Sequence, residues 1–217
     1  YAGEYGGLAP WYGNEDGRLS VDLTLENWQR LFETDLYLRV FLKSIVYALL
    51  ATLLCILLGY PLALMIARSP KKHRDLLLLL VILPFWSNFL VRIYAWMIIF
   101  SPSGALTRMM NVLLATVGLA PMSLMYSSTA VIVCLVYVHL PFMVLPLYAN
   151  LEKHSPALLA AAQDLGANRW RRFWDITWPL SLPGVYAGAI LVFIPVLGTF
   201  AIPDLLGGTD GIMIANV

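Results

Sequence analysis

Few residues in this chain have the types and spacing that covalent chemistry needs. The three histidines, His73, His139 and His154, are scattered, with no His-Glu-x-x-His pair and no serine-nucleophile motif beside them. A phosphate-cradling loop needs Gly-Lys-Ser/Thr at its end, and no glycine here is followed by lysine. Cys55 and Cys134 sit in apolar stretches without metal-ligand spacing and read as small buried hydrophobes. No catalytic residue, metal site or cofactor is therefore expected, and any ATP chemistry must come from a partner. What stands out instead is polarity inside apolar sequence. Pro84, Asn88, Arg92 and Trp96 recur every four residues, a polar stripe on one helical face. An arginine near mid-span costs at least ~2.5–3.5 kcal/mol on insertion scales, so Arg92 should face a bundle or water. It reads either as part of a translocation path or gate, or as an arginine satisfied by carbonyls at a broken helix. Asp204 is the best acidic candidate near an external mouth, and Trp86, Tyr94, Tyr137 and Tyr186 are aromatic candidates for a path, although each reads more readily as packing than as path. His139 beside Pro141 reads as structural, and Gly184 with Gly188 is spaced for close helix contact.

The elements that must position these residues are membrane helices. The 217 residues are 60% hydrophobic and 12% charged, with mean hydropathy +0.75, whereas soluble domains carry about 25% charged residues. A net charge of +1 and the absence of a long basic run argue against nucleic acid. Four apolar runs, about 44–67, 76–100, 127–149 and 184–202, are each long enough to cross a ~30 Å hydrocarbon core. None contains Asp or Glu. Arg68, Lys71, Lys72 and Arg74 follow the first run, and Lys153, Arg169, Arg171 and Arg172 follow the third. The 101–126 connection has only Arg108 and residues 203–217 have no basic residue. Basic loops favour the cytoplasm, which places 68–75 and 150–183 inside and residues 1–38 outside. The fold class expected is all-α, a polytopic membrane helical bundle. Residues 1–38 form an extracytoplasmic segment in which Thr24 caps a short amphipathic helix through Phe32, and 39–217 form the transmembrane domain. Residues 101–126 read as an external helix packed on the bundle. The chain opens on Tyr1 rather than Met and stops at Val217 in a polar-to-apolar transition, as an internal piece would.

The cytoplasmic segment is the most informative. Ser155 followed by Pro156 is a helix start, and Gly166 suits a left-handed stop. Between them lies Ala160-Ala161-Ala162, small enough for another surface to approach closely. Asn168 can cap a second helix with Trp170, Phe173 and Trp174 on one aromatic face, continued by Trp178, after which Pro179 and Pro183 turn the chain into the last span. The whole is a helix–Gly–helix elbow able to dock into a groove, or else a simple interhelical loop.

This segment resembles the cytoplasmic signature of ABC importer permeases, a pattern of Glu-Ala-Ala, three residues, Gly, nine residues, Ile, one residue, Leu-Pro. Ala161, Ala162, Gly166, Ile176 and Pro179 match in register, while Ala160 stands where the family has Glu and Trp178 where it has Leu. Residues 57–63, 83–96, 140–148 and 193–208 are similar to the spermidine/putrescine branch. The resemblance implies that Ala160, Ala161, Ala162, Asp164, Leu165, Gly166, Ala167, Ile176 and Pro179 engage ABC ATPase subunits. It also implies six helices, of which this chain holds the second to fifth, a second permease subunit and an extracytoplasmic solute-binding protein. The expected setting is the lipid bilayer of a bacterial inner membrane, as a multi-pass protein. The cargo is a small molecule, spermidine or putrescine, with another small solute as the alternative. An ion-coupled secondary transporter should carry intramembrane acids, which these runs lack. A membrane-embedded enzyme has no motif to support it, and a non-transporting scaffold stays open on sequence alone.

Overall fold

Apolar sequence becomes helix almost throughout the computed structural model, which describes residues 11–13, 19–21, 35–116, 118–199, 201–208 and 213. The chain divides into two units, residues 1–39 and 40–217. In the first, β1 (Trp11–Gly13) pairs antiparallel with β2 (Leu19–Val21), Tyr12 opposite Ser20. This short ribbon qualifies the all-helical expectation, and its Trp, Tyr, Leu and Val are residues that suit a pleated surface. The amphipathic helix expected after Thr24 lies outside the described residues.

From Asp35 onward the regular structure is helical among the described residues. Helix α1 is Asp35–Arg68, α2 is Lys71–Ile82 and a 3-10 turn spans Leu83–Trp86. There follow α3 (Phe89–Phe100), α4 (Ala105–Thr116), α5 (Ser128–Leu151) and α6 (Pro156–Asp164). Next come α7 (Arg169–Arg172), a π-helical segment (Phe173–Thr177), α8 (Trp178–Leu197) and α9 (Ala201–Leu206). Four helical runs among the described residues are long and apolar enough to cross a membrane: Leu38–Arg68, Phe89–Thr116, Ser128–Leu151 and Arg169–Leu197.

Helix α5 is the centre of the bundle, burying Val131, Cys134, Leu135, Met143, Val144 and Leu147 completely. Helix α8 packs extensively along it, because small residues let the backbones close. A Cβ at Gly188 would meet Met143 Sδ at 2.7 Å and Met143 O at 3.2 Å, and one at Gly184 would meet Asn150 Cβ at 2.7 Å. Helix α1 turns a stripe of small residues inward, Ala48, Ala51, Cys55 and Ala63, all fully buried. Cys55 Sγ reaches Val136 O at 3.7 Å, and Tyr47 donates to Ser128 Oγ at 2.6 Å.

Two departures from the sequence reading matter for the site. The apolar run 76–100 is not one helix. Pro84 cannot donate to the helical ladder, a 3-10 turn takes its place, and Asn88 restarts the chain as the cap of α3, its Oδ1 accepting from Leu90 N at 2.8 Å. The long run then continues through α4 across a turn at Ser101–Gly104. There Gly104 leaves no room for a Cβ, since Ile99 O would lie 2.2 Å away. The second departure is that Pro179 and Pro183 do not turn the chain: helix is unbroken from Arg169 to Leu197. Pro179 lies just after the π segment, which carries Trp178 N–H back to Phe173 O and so widens the turn where the proline's N–H is missing from the ladder.

Candidate functional site

The elbow between α5 and α8 is built by local side-chain chemistry. Ser155 Oγ accepts from Ala157 N at 3.3 Å and Pro156 fills the first turn of α6. At the other end Gly166 adopts φ +80°. Gly166 N donates to Gln163 O and Ala167 N to Ala162 O, both at 2.9 Å, the paired bonds of a Schellman stop. Asn168 Oδ1 then accepts from Arg171 N at 2.8 Å and starts α7. Arg172 reaches back to Gln163 Oε1 at 2.9 Å, pinning the second arm to the first. The outcome is a bent, capped and cross-tied element rather than a slack loop.

Its outer surface is apolar at the tip. Leu165 is 89% exposed and Trp170 73% exposed, with Leu158 also exposed. Ala160, Ala161, Asp164 and Gly166 are exposed beside them, Ala162 and Ala167 are half-buried, and Pro179 is exposed. Ile176 is half-buried and faces a cleft of about 450 Å³ shared with Leu64, Leu158 and Leu180. The nine signature positions therefore divide. Those from Ala160 to Ala167 gather on the knuckle, while Ile176 and Pro179 belong to the arm that enters α8.

The aromatic face expected on the second arm is split. The π segment inserts an extra residue into the turn, so Phe173, Trp174 and Trp178 cluster together while Trp170 stands in the open. Tyr60 of α1 completes the cluster, 5.7 Å from Phe173 and 5.2 Å from Trp178, and its hydroxyl lies 3.0 Å from Ser181 Oγ. Sequence reading missed Tyr60 because its partners lie more than a hundred residues downstream.

The proposed polar stripe is likewise reshaped. Because the helix breaks, only Arg92 and Trp96 share α3, while Asn88 is its cap and Pro84 lies in the 3-10 turn. Arg92 is 8% exposed, donates to Ser87 O at 3.2 Å and lies 5.2 Å over the ring of Phe85. Its Nε has no partner. Tyr137 of α5 meets Trp96 edge-on at 5.2 Å. Trp86 (78% exposed), Tyr94 and Tyr186 are exposed, as is Asp204 on α9, which packs on α5 and α3. Among the described residues no hydrogen bond or ring contact joins Trp86, Tyr186 or Asp204 to Arg92, and no group of His, Cys, Asp and Glu could hold a metal.

The comparison with known proteins fits this geometry. The profile of the family described as binding-protein-dependent transport system inner membrane component matches residues 56–216, which contain the elbow, the broken helix and the central pair α5–α8. The chain belongs to that family. This inner membrane component is 46% identical over 196 residues to the spermidine/putrescine transport system permease protein PotB of Escherichia coli, covering 89% of this chain and 70% of the relative. It is 44% identical over 197 residues to PotB of Haemophilus influenzae, covering 90% and 67%. In fold it is similar to a chain in the crystal structure of a bacterial alginate ABC transporter in complex with an alginate pentasaccharide-bound periplasmic protein. There the TM-score is 0.67 at 22% identity, with 90% of this chain and 69% of that one covered. The component is thus a multi-pass inner-membrane permease of the ABC importer type, and its relatives are transport subunits rather than enzymes.

Proposed function

We propose that this chain is the membrane-spanning subunit through which an ABC importer moves spermidine or putrescine inward, with ATP hydrolysed by separate subunits docked on the elbow. The observation that carries the cargo is 46% identity to a spermidine/putrescine permease over 89% of the chain. Fold alone would not carry it, since the alginate transporter shares the fold at 22% identity. The observation that supports docking is the elbow itself: a stiff, cross-tied knuckle whose tip exposes Leu165 and Trp170, large apolar groups more naturally seated in a partner's groove than left in water.

On this reading residues 150–183 lie in the cytosol, as the basic residues on 68–75 and 150–183 favour, and residues 1–38 lie outside. A second permease subunit covers part of the exposed apolar faces, lipid covers the rest, and an extracytoplasmic binding protein delivers the solute. Closure of the ATPases pushes the elbow, and α5 and α8 move with it around the path. Asp204 sits at the outer mouth and draws the cationic solute by charge, while exposed rings such as Tyr94 and Tyr186 offer cation–π faces. Arg92, held by a carbonyl and a ring, is not a ligand for a polycation; it holds the broken helix.

The test is the complete complex in proteoliposomes, with its binding protein inside the assay and candidate solutes supplied one at a time. Spermidine or putrescine should stimulate both ATP hydrolysis and uptake. Stimulation by a different small solute alone would overturn the cargo, and uptake without any nucleotide would overturn the importer class.

A further inference from the structure

We infer that Arg74 is a positioning residue that ties the elbow to helix α2, making α2 a strut that carries elbow movement to the Arg92 site; this rests on the elbow being where the ATPase pushes. Arg74 Nη1 pairs with Glu152 Oε1, the one ion pair shown among the described residues. The partners are 78 residues apart in sequence, and both sit at hinges. Glu152 is the cap that ends α5, three residues before Ser155 starts α6. Arg74 lies in the first turn of α2, its Nη2 donating to Ala67 O at 3.1 Å near the end of α1, and its guanidinium 5.9 Å over the ring of Tyr148. One side chain thus joins the ends of α1 and α5 to α2.

None of the 12 residues of α2 is fully buried, and Leu77, Leu78 and Val81 rest half-buried on the core, so a polar tie at its first turn adds to modest apolar packing. Its other end is clasped as well: Phe85, just beyond it, lies under Arg92 and meets Phe142 of α5 edge-on at 5.2 Å. A 12-residue helix is about 18 Å long, and this one is gripped by Glu152 at the elbow and by Arg92 and Phe142 at the break. The cleft of about 450 Å³ lined by Leu64, Ala67, Arg74, Leu158 and Leu180 separates α6 from the end of α1, so α6 does not push α1 through close packing there. Displacement of the elbow reaches the 3-10 turn through Glu152, Arg74 and α2.

The experiment uses the reconstituted complex, reading solute moved per ATP hydrolysed together with a Leu165→Cys cross-link to the ATPase. Arg74→Glu and Glu152→Arg should each lower the transport-to-hydrolysis ratio about five-fold or more, since each sets like charges against each other in place of a partly screened pair. The cross-link should persist in both. The double exchange should recover the ratio to within about two-fold, and Arg74→Lys should lose less than Arg74→Glu. If a reversal fails to assemble, Glu152→Gln removes the charge at constant size and should lower the ratio in the same direction, by about two-fold, since no repulsion replaces the lost pair. A wild-type ratio in the single variants, or a double exchange no better than the singles, overturns the strut. Failure of the unaltered complex to cross-link at Leu165→Cys overturns the docking reading instead.

Discussion

Replacing Gly166 with alanine would place a Cβ on backbone held at φ +80°, with no atom within 4 Å to clash with it. The penalty is therefore conformational rather than steric. An L-residue in the left-handed region costs roughly 1–2 kcal/mol, and 1.4 kcal/mol is a factor of ten. The ratio of bent to unbent elbow should thus fall about 5- to 30-fold, leaving the buried bundle untouched. Because the space is open, Gly166→Leu should cost about what Gly166→Ala costs, and Gly166→Asn should cost less, since Asn tolerates this region. In the reconstituted complex, solute moved per ATP should fall for Ala and Leu alike and partly recover for Asn. Gly118 supplies the control: at φ +75° and also in open space, it carries the same backbone penalty after α4, away from the elbow. Gly118→Ala should leave coupling unchanged. Wild-type coupling in Gly166→Leu, or equal uncoupling in Gly118→Ala, would show that the bend at Gly166 does not carry coupling.

Two further outcomes follow from packing and charge. Gly188→Val must push α8 from Met143, where a Cβ already meets Sδ at 2.7 Å and the carbonyl at 3.2 Å. Overpacking of this kind costs about 1–3 kcal/mol, so the thermal midpoint of the detergent-solubilised permease should drop, and an unchanged midpoint would deny the close approach. Asp204→Asn should raise the apparent KM for a polyamine about two- to five-fold at low ionic strength, with the gap closing in high salt. An unchanged KM at low salt would remove Asp204 from the entrance.

Local chemistry was the most legible part of this sequence. Ser155, Pro156, Gly166 and Asn168 announce the elbow because caps and left-handed stops are decided within four or five residues. The helical character of the apolar runs was equally plain, since a lipid-embedded backbone must satisfy its own hydrogen bonds. Where two local rules competed, the reading failed. Pro84 and Asn88 broke a run that apolar composition alone makes continuous, whereas Pro179 and Pro183 did not end a helix, because a π segment absorbed the first at its start and α8 tolerated the second. Contacts between distant segments are invisible in sequence: Arg74 counts there only as a charge for topology, and nothing singles out Glu152 or Tyr60. Nothing in their neighbourhoods announces a partner about a hundred residues away. The dispersal of Trp86, Tyr186 and Asp204 has the same origin, since residue type suggests affinity for an ammonium group but not convergence on one point.

On the proposed reading a separate ATPase grips the tip of the elbow. Cys55 and Cys134 are both fully buried, so a cysteine placed at Leu165, 89% exposed, is the reactive thiol of choice in the full complex. A bifunctional reagent should link it to the ATPase subunit, with a yield that changes on ATP binding. A link to the extracytoplasmic binding protein, or no link to the ATPase in a complex that still transports, would contradict the account.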